Sequence, residues 1–259
     1  MNKNWLEADE SAYLAEHFRL THGVPVRSGE LIPVTEFLDE KTCADCLARM
    51  SGYLHAPSLK VTASLFAKRY AFLTVAPILY AMTVYNKAVT LDIGHCQLVL
   101  AKEPGEPWLS RLHVRASDVR AFAAGDRSEW REQIIRSLFA GHIAPLWHTI
   151  SRVANIPRMV LWENTAVRLF SLYEKRIKAE AGSELRERVQ ADFACLLKHA
   201  PAPWFGEEQN PFAQFCEFGD SEPGAATARP GRIRKTCCYH YKVSSREGFC
   251  SACPRAKSR

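Results

Sequence analysis

Apolar positions recur at helical spacing over Thr35 to Leu54, where Cys43, Cys46, Leu47, Met50 and Leu54 share one face, and this predicts an amphipathic helix. After a turn at Ala56-Pro57-Ser58, the stretch Ser64 to Tyr85 is apolar nearly all round, the pattern of a helix buried at the centre of a fold, and Pro77 is expected to kink it. The pattern then changes. Ala88 to Asp92, Cys96 to Ala101 and Trp108 to Val114 are short runs separated by Ile93-Gly94-His95 and Glu103-Pro104-Gly105-Glu106, which predicts a three-stranded antiparallel meander. Ser117-Asp118 and Ser128-Glu129 read as helix starts, and helical spacing returns over Trp130 to Ala140, His142 to Val153, Arg158 to Glu180 and Ser183 to His199. The Pro- and Gly-containing stretch from Pro201 to Arg229 reads as a connector.

The expected fold is therefore α+β, predominantly helical, with a small antiparallel β-sheet of about three strands near residues 88–114. A body over residues 1–200, a linker over 201–231 and a carboxy-terminal module over 232–259 are the expected divisions. The 47% hydrophobic content is enough to bury a sizeable core. Ala71 to Tyr85 is shorter than the roughly 20 apolar residues of a membrane span and contains Pro77, so no integral membrane segment is expected. Glu7, Asp9 and Glu10 stand where a secretory signal would carry a basic start and an apolar run. The expectation is a cytoplasmic protein, free or resting peripherally on the inner membrane.

Cysteine placement sharpens this picture. Of nine cysteines, five are scattered over residues 43–216, while Cys237, Cys238, Cys250 and Cys253 fall together at the end of the chain. The net charge of +6 is uneven in the same way, because Arg229 to Arg259 holds nine Lys and Arg against Glu247 alone. A Cys-Cys pair, eleven residues and then Cys-x-x-Cys-Pro can supply four soft thiolates, which select zinc, Cu(I) or iron with sulfide. The adjacent pair can serve as two ligands only if the backbone bends there, since neighbouring side chains of a strand point apart. Structural zinc sites usually space their first two cysteines by two to four residues, which an adjacent pair does not match. Spacing alone leaves an iron-sulfur cluster, zinc and a redox thiol pair open, with His240 a further possible ligand. Cys43 and Cys46, on an apolar helix face with no preceding strand, read as a buried structural pair.

Other residues invite a ligand reading. Lys68 and Arg69 lie on the otherwise apolar central helix, where charges need a partner, either an anionic ligand or an acid such as Asp92. No Gly-rich phosphate loop or dinucleotide fingerprint is present, so reducing equivalents are expected from another protein. The basic tail lacks a recognisable reading element, and no nucleic-acid partner is expected.

The tail resembles the FhuF-like ferric siderophore reductases, with one residue more than that family's usual loop between the cysteine pairs. The likeness continues in Ser64-Leu-Phe-Ala-Lys-Arg-Tyr70, His142-Ile-Ala-Pro-Leu146, Val160-Leu-Trp-Glu-Asn-Thr-Ala-Val-Arg-Leu169 and Asn210-Pro211-Phe212. The body also resembles the carboxy-terminal domain of siderophore synthetases. The resemblance implies a 2Fe-2S cluster on Cys237, Cys238, Cys250 and Cys253, and one-electron reduction of a ferric siderophore that releases Fe(II) in the cytoplasm. The cluster itself then stands in place of catalytic side chains, and the electron donor expected from the missing dinucleotide fingerprint is a protein such as a ferredoxin or flavoprotein. His142, Trp162, Asn164 and Arg168 fall at matched positions and join Lys68 and Arg69 as candidate substrate-binding residues, the alternative being that they lock neighbouring helices. The rival expectation is a non-enzymatic binding protein for a siderophore or partner, with structural zinc in its tail.

Overall fold

The computed structural model describes residues 6–23, 29–101, 107–115, 118–180, 182–215, 233–243, 248–250 and 252–257. Its helices are α1 (Ala8–Phe18), α2 (Glu40–Leu54), α3 (Leu59–Tyr80), α4 (Arg127–Leu138), α5 (Ala144–Val153), α6 (Arg158–Ser171), α7 (Lys178–Glu180) and α8 (Arg186–Ala194). Its strands are β1 (Leu20–His22), β2 (Glu30–Pro33), β3 (Lys87–Thr90), β4 (Cys96–Leu100), β5 (Leu109–Val114) and β6 (Asp118–Ala121). The fold is mostly helical with small sheets, the class the hydrophobic pattern predicts.

α3 runs through the middle of the molecule. Ser58 caps its start by accepting the Val61 N–H. From Val61 to Tyr80 every residue is buried except Lys68, Arg69 and Phe72. The helix continues through Pro77, which has no N–H to donate, and widens into a π turn at Ala81–Tyr85. α6 lies along one side of α3 and α2 along another, and the aromatic stack Phe37, Phe66, Tyr70 joins the layers at ring separations of 4.7 and 5.2 Å. The helix expected over 35–54 is split in two. Val34–Phe37 forms a 3₁₀ turn, and Asp39 then starts α2 by accepting the Lys41 and Thr42 N–H groups at 3.0 Å, a cap worth about 1 kcal/mol.

The sheet departs from the expected meander. β4 and β5 pair antiparallel as expected, but they sit in a mixed four-stranded sheet ordered β1-β5-β4-β2, with β1 parallel to β5. The run beginning at Ala88 belongs elsewhere, because β3 pairs with β6 in a separate two-stranded sheet, Val89 opposite Val119. Asp118 accordingly starts a strand and not a helix, while Ser117 of the expected helix start lies outside the described residues. Period-2 alternation announces a strand but not its partner, and here the 3₁₀ turn Ile93–His95, capped by Asp92 on the Gly94 N–H, redirects the chain between β3 and β4.

Helices α4 and α5 form one rod through a π turn at Phe139–Ile143, and α6 runs on through another at Leu172–Ile177. At their far end the fully buried Asp192 accepts bonds from Arg127 at 2.6 and 2.8 Å, Arg131 at 3.1 Å and Thr83 at 3.0 Å. Residues 201–215, at the start of the expected linker, pack against the body. Phe205 and Phe212 are buried against Phe139 and Trp162, and the Asn210 amide donates to the carbonyls of Leu196 and Ala200. The remainder of that expected linker, through residue 231, lies outside the described residues. Among the described residues no helix is long and apolar enough to cross a membrane.

Candidate metal centre

The carboxy-terminal segment is seated on α3 and α6 by a single acidic side chain. Glu163, buried in the middle of α6, accepts the Lys235 N–H at 2.5 Å, the Thr236 N–H at 2.8 Å and the Thr236 hydroxyl. Arg234, also buried, donates to Glu163 at 3.4 Å and to the Asn164 side-chain oxygen at 2.7 Å. The Asn164 amide in turn donates to the Ser64 carbonyl and hydroxyl oxygens at 2.8 and 2.9 Å, and the Ser64 hydroxyl donates to the Cys238 carbonyl at 3.0 Å. A buried carboxylate and guanidinium are tolerable only because each is paired and its remaining hydrogen-bonding capacity is used.

This clasp fixes the cysteines. The bend that the adjacent pair requires is present: Tyr239 has φ +58°, and its N–H turns back to the Cys237 sulfur at 3.4 Å. Cys250 and Cys253 are joined by a turn in which the Cys253 N–H donates to the Cys250 carbonyl at 2.9 Å. The two halves meet through the Arg234 N–H on the Ala252 carbonyl at 2.9 Å, which brings the Cys238 and Cys250 sulfurs to 3.5 Å. That separation approaches the roughly 3.8 Å edge of a tetrahedron with 2.3 Å metal–sulfur bonds. Among the described residues no three His, Cys, Asp or Glu side chains converge on one point. Four soft thiolates from two short segments are a donor set that a binuclear iron-sulfur cluster takes, two sulfurs to each iron. His240 is engaged by the Gly248 carbonyl at 3.2 Å.

The electrostatic setting differs among the cysteines: burial raises Cys237, and the hydrogen bond shared with Cys238 raises Cys250. Cys238 is pulled down, first by the sulfur–sulfur hydrogen bond it shares with Cys250, with Arg234 and Lys68 contributing positive potential against the effect of burial. Lys68 is itself pushed down, chiefly by burial, and its surroundings are the Cys238 and Cys250 sulfurs together with Arg168 and Arg234.

Two family models match the chain. One, described as ferric iron reductase FhuF-like transporter, covers residues 64–221, and the other, the FhuF 2Fe-2S C-terminal domain, covers residues 234–255. The chain belongs to the FhuF-like ferric iron reductase family. Its cofactor is a 2Fe-2S cluster. No curated protein matches. Among solved structures the chain is similar to the aerobactin synthetase IucC from a hypervirulent pathotype of Klebsiella pneumoniae, at 15% identity and a TM-score of 0.49. That likeness covers 73% of this chain and 36% of the synthetase, so the chain spans about a third of it.

In this FhuF-like chain the six candidate substrate residues divide by exposure. Lys68, Arg69 and Arg168 are half-buried and lie together across the α3–α6 seam, where the Arg168 side chain donates to the Lys68 carbonyl at 3.1 Å. Arg69 donates to the carbonyls of Leu109 and Ser110 at 2.8 and 3.1 Å, and Asp92, considered above as its partner, is occupied with Gly94. Asn164 belongs to the clasp. His142 is fully buried, its ring nitrogens engaged by the Tyr70 hydroxyl at 2.6 Å and the Leu91 carbonyl at 3.0 Å, and burial lowers it to about 4. Trp162 is buried and donates to Glu207 at 2.9 Å. Cys43 and Cys46 are both fully buried, and burial raises each thiol to about 12, as a structural pair requires.

Sequence reasoning missed Glu163 as the anchor of the tail. The available signal was a lone acid directly after the apolar Val160-Leu161-Trp162, inside a predicted core helix.

Proposed function

We propose that this chain reduces ferric siderophores one electron at a time in the cytoplasm. In this reading Cys237, Cys238, Cys250 and Cys253 hold the cluster, and the α3–α6 face beside them receives the iron chelate. Residues 1–200, with 201–215 packed against them, act as the chelate-binding body, the rest of the stretch through 231 as connector and 232–259 as the electron-transfer module. The supporting observation is the clasp: Glu163 and Ser64 bind the backbone on both sides of Cys237, so the cysteines are held against Lys68 on the body.

The bound 2Fe-2S group supplies one-electron chemistry, at a potential set by charge, hydrogen bonding and exposure around its sulfurs. The protein's own contribution is placement and charge. Glu163 pairs with Arg234 and satisfies the amides of Lys235 and Thr236, and Lys68 joins Arg234 as a cation acting on the Cys238 and Cys250 sulfurs. Lys68, Arg69 and Arg168 present positive charge to an incoming chelate. Hard oxygen donors hold Fe(III) far better than Fe(II), so iron is released when it accepts the electron. The absence of a dinucleotide fingerprint from the sequence supports a protein donor such as a ferredoxin or flavoprotein.

Anaerobic stopped-flow mixing of the dithionite-reduced protein with ferric siderophores tests this reading. Reoxidation of the cluster spectrum with appearance of chelatable Fe(II) is expected. A protein purified colourless with zinc and without sulfide, or a reduced cluster indifferent to every ferric chelate, overturns it.

A further inference from the structure

Lys68, Arg69 and Phe72 form the single opening in an otherwise buried stretch of α3, and Arg168 of α6 borders the same opening. The Arg69 guanidinium lies 5.0 Å from the centre of the Phe72 ring and the Arg168 guanidinium 5.6 Å from it, so one half-exposed ring is flanked by two cations. Their hydrogen bonds leave charge uncompensated, since the acceptors are the neutral carbonyls of Leu109, Ser110 and Lys68.

Among the described residues no carboxylate forms an ion pair with Lys68, Arg69 or Arg168. The charges acting on Arg69 are Arg168 and Arg19, and the charge acting on Arg168 is Arg234, all of them repulsive. Glu163 belongs to Arg234 and the tail amides, so it does not serve the opening. Two half-buried guanidiniums, Arg69 and Arg168, with no carboxylate partner among the described residues are unfavourable in the free protein, and a bound anion reverses the sign of that interaction. Lys68 faces the cysteine sulfurs, which leaves Arg69 and Arg168 for the ligand. Two guanidinium forks beside one aromatic ring match a carboxylate-bearing chelate with an apolar backbone.

We infer that the Arg69–Phe72–Arg168 opening is a specificity site that selects ferric chelates of net negative charge carrying a free carboxylate over neutral or cationic ones. This inference rests on the siderophore-reductase reading and deepens it by naming the substrate class.

The test uses one linear trihydroxamate chelator whose terminal amine is left free, acetylated or succinylated, giving cationic, neutral and anionic complexes of one shape. Loaded with redox-inert Ga(III), these complexes report binding to the cluster-containing protein without electron transfer. The succinylated complex is expected to bind at least about tenfold more tightly than the acetylated one, with the free amine weakest, and the advantage is expected to shrink with added salt. Arg69→Gln and Arg168→Gln should flatten the series, and Phe72→Leu should weaken all three complexes while preserving their order. Equal affinity across the series in the unmodified protein overturns the inference without reliance on any variant. So does a preference that survives both arginine substitutions. If these substitutions leave chelate affinity unchanged but slow reduction by an acidic donor protein, the opening is a donor-docking surface and the inference fails. Charge-ordered Ga(III) binding together with a cluster that no ferric complex reoxidises removes the reductase reading and leaves the anion site standing.

Discussion

Glu163 accepts the Thr236 N–H at 2.8 Å across 73 positions of sequence, and through this contact a helix of the body holds the cysteine tail. The same carboxylate binds Lys235 and Arg234, so one side chain ties three consecutive residues to α6. The positions of the cysteines relative to Lys68 and the arginine opening depend on that tie.

Removing the carboxylate should release the tail. Glu163→Ala leaves the buried Arg234 charge and two backbone donors unpaired, and breaking such a pair costs about 3–5 kcal/mol. Faster amide exchange at Lys235 and Thr236, with slower reoxidation by ferric chelates, is the expected outcome. Glu163→Gln, which retains one acceptor oxygen, should fall between. Exchange at those two amides unchanged in both variants would show that the clasp does not hold in solution.

Substituting any one of Cys237, Cys238, Cys250 or Cys253 by Ser should reduce iron and acid-labile sulfide content and bleach the visible spectrum, because serine replaces a soft thiolate with a hard, weakly acidic oxygen. Cys43→Ala and Cys46→Ala should leave that spectrum intact and cost stability alone, since both side chains are sealed in the core against α3. Iron-to-protein ratios for the six variants decide between these assignments.

Lys68 should set the redox poise. A positive charge facing the sulfurs favours the more negatively charged reduced state, so Lys68→Gln is expected to move the midpoint potential in the negative direction, by an amount comparable to the roughly 59 mV that marks a tenfold change in a one-electron equilibrium. Lys68→Arg should restore most of the shift. A redox titration followed by EPR measures it, and identical midpoints for the Gln and Arg variants would assign Lys68 a packing role.

His142 makes the body acid-sensitive. Burial lowers its folded value to about 4 from the ordinary 6.5, so between those limits the unfolded chain takes up a proton that the folded chain refuses. Stability is unaffected above pH 6.5, falls as pH drops through the window, and loses about 3 kcal/mol by pH 4. Urea midpoints measured from pH 7 to pH 4 should slope less steeply in His142→Gln than in the unmodified protein. Parallel slopes would place the acid sensitivity at other groups.

Much of the fold was legible because it is local. The buried character of α3 follows from a run that is apolar nearly all round, and α4, α5 and α6 follow from 3.6-residue spacing, all within one helical turn of each residue. The pairing of β3 with β6 was not legible, since alternation along a strand carries no address for its partner. His142 and Trp162 show the same limit at the site. Their positions were marked by likeness to a family, yet burial and the engagement of their ring nitrogens by Tyr70, Leu91 and Glu207 depend on helices brought together by packing.

By itself the sequence determined the soft-ligand chemistry of the tail, because four thiolates in so short a stretch suit few metals and the adjacent pair fits zinc poorly. Tertiary structure decided where that chemistry is delivered. Glu163, Ser64, Lys68, Phe72 and Arg168 come from two helices about a hundred residues apart in the chain, and the distance from Ser64 to Asn164 or to Cys238 exists only once those helices pack and the tail closes over them. The charge imbalance at the α3–α6 opening is likewise a property of packing. Arg69 stood out along the chain only as a charge on an apolar helix, and its meeting with Arg168 at one ring, with no carboxylate partner for either among the described residues, arises only when α3 and α6 pack.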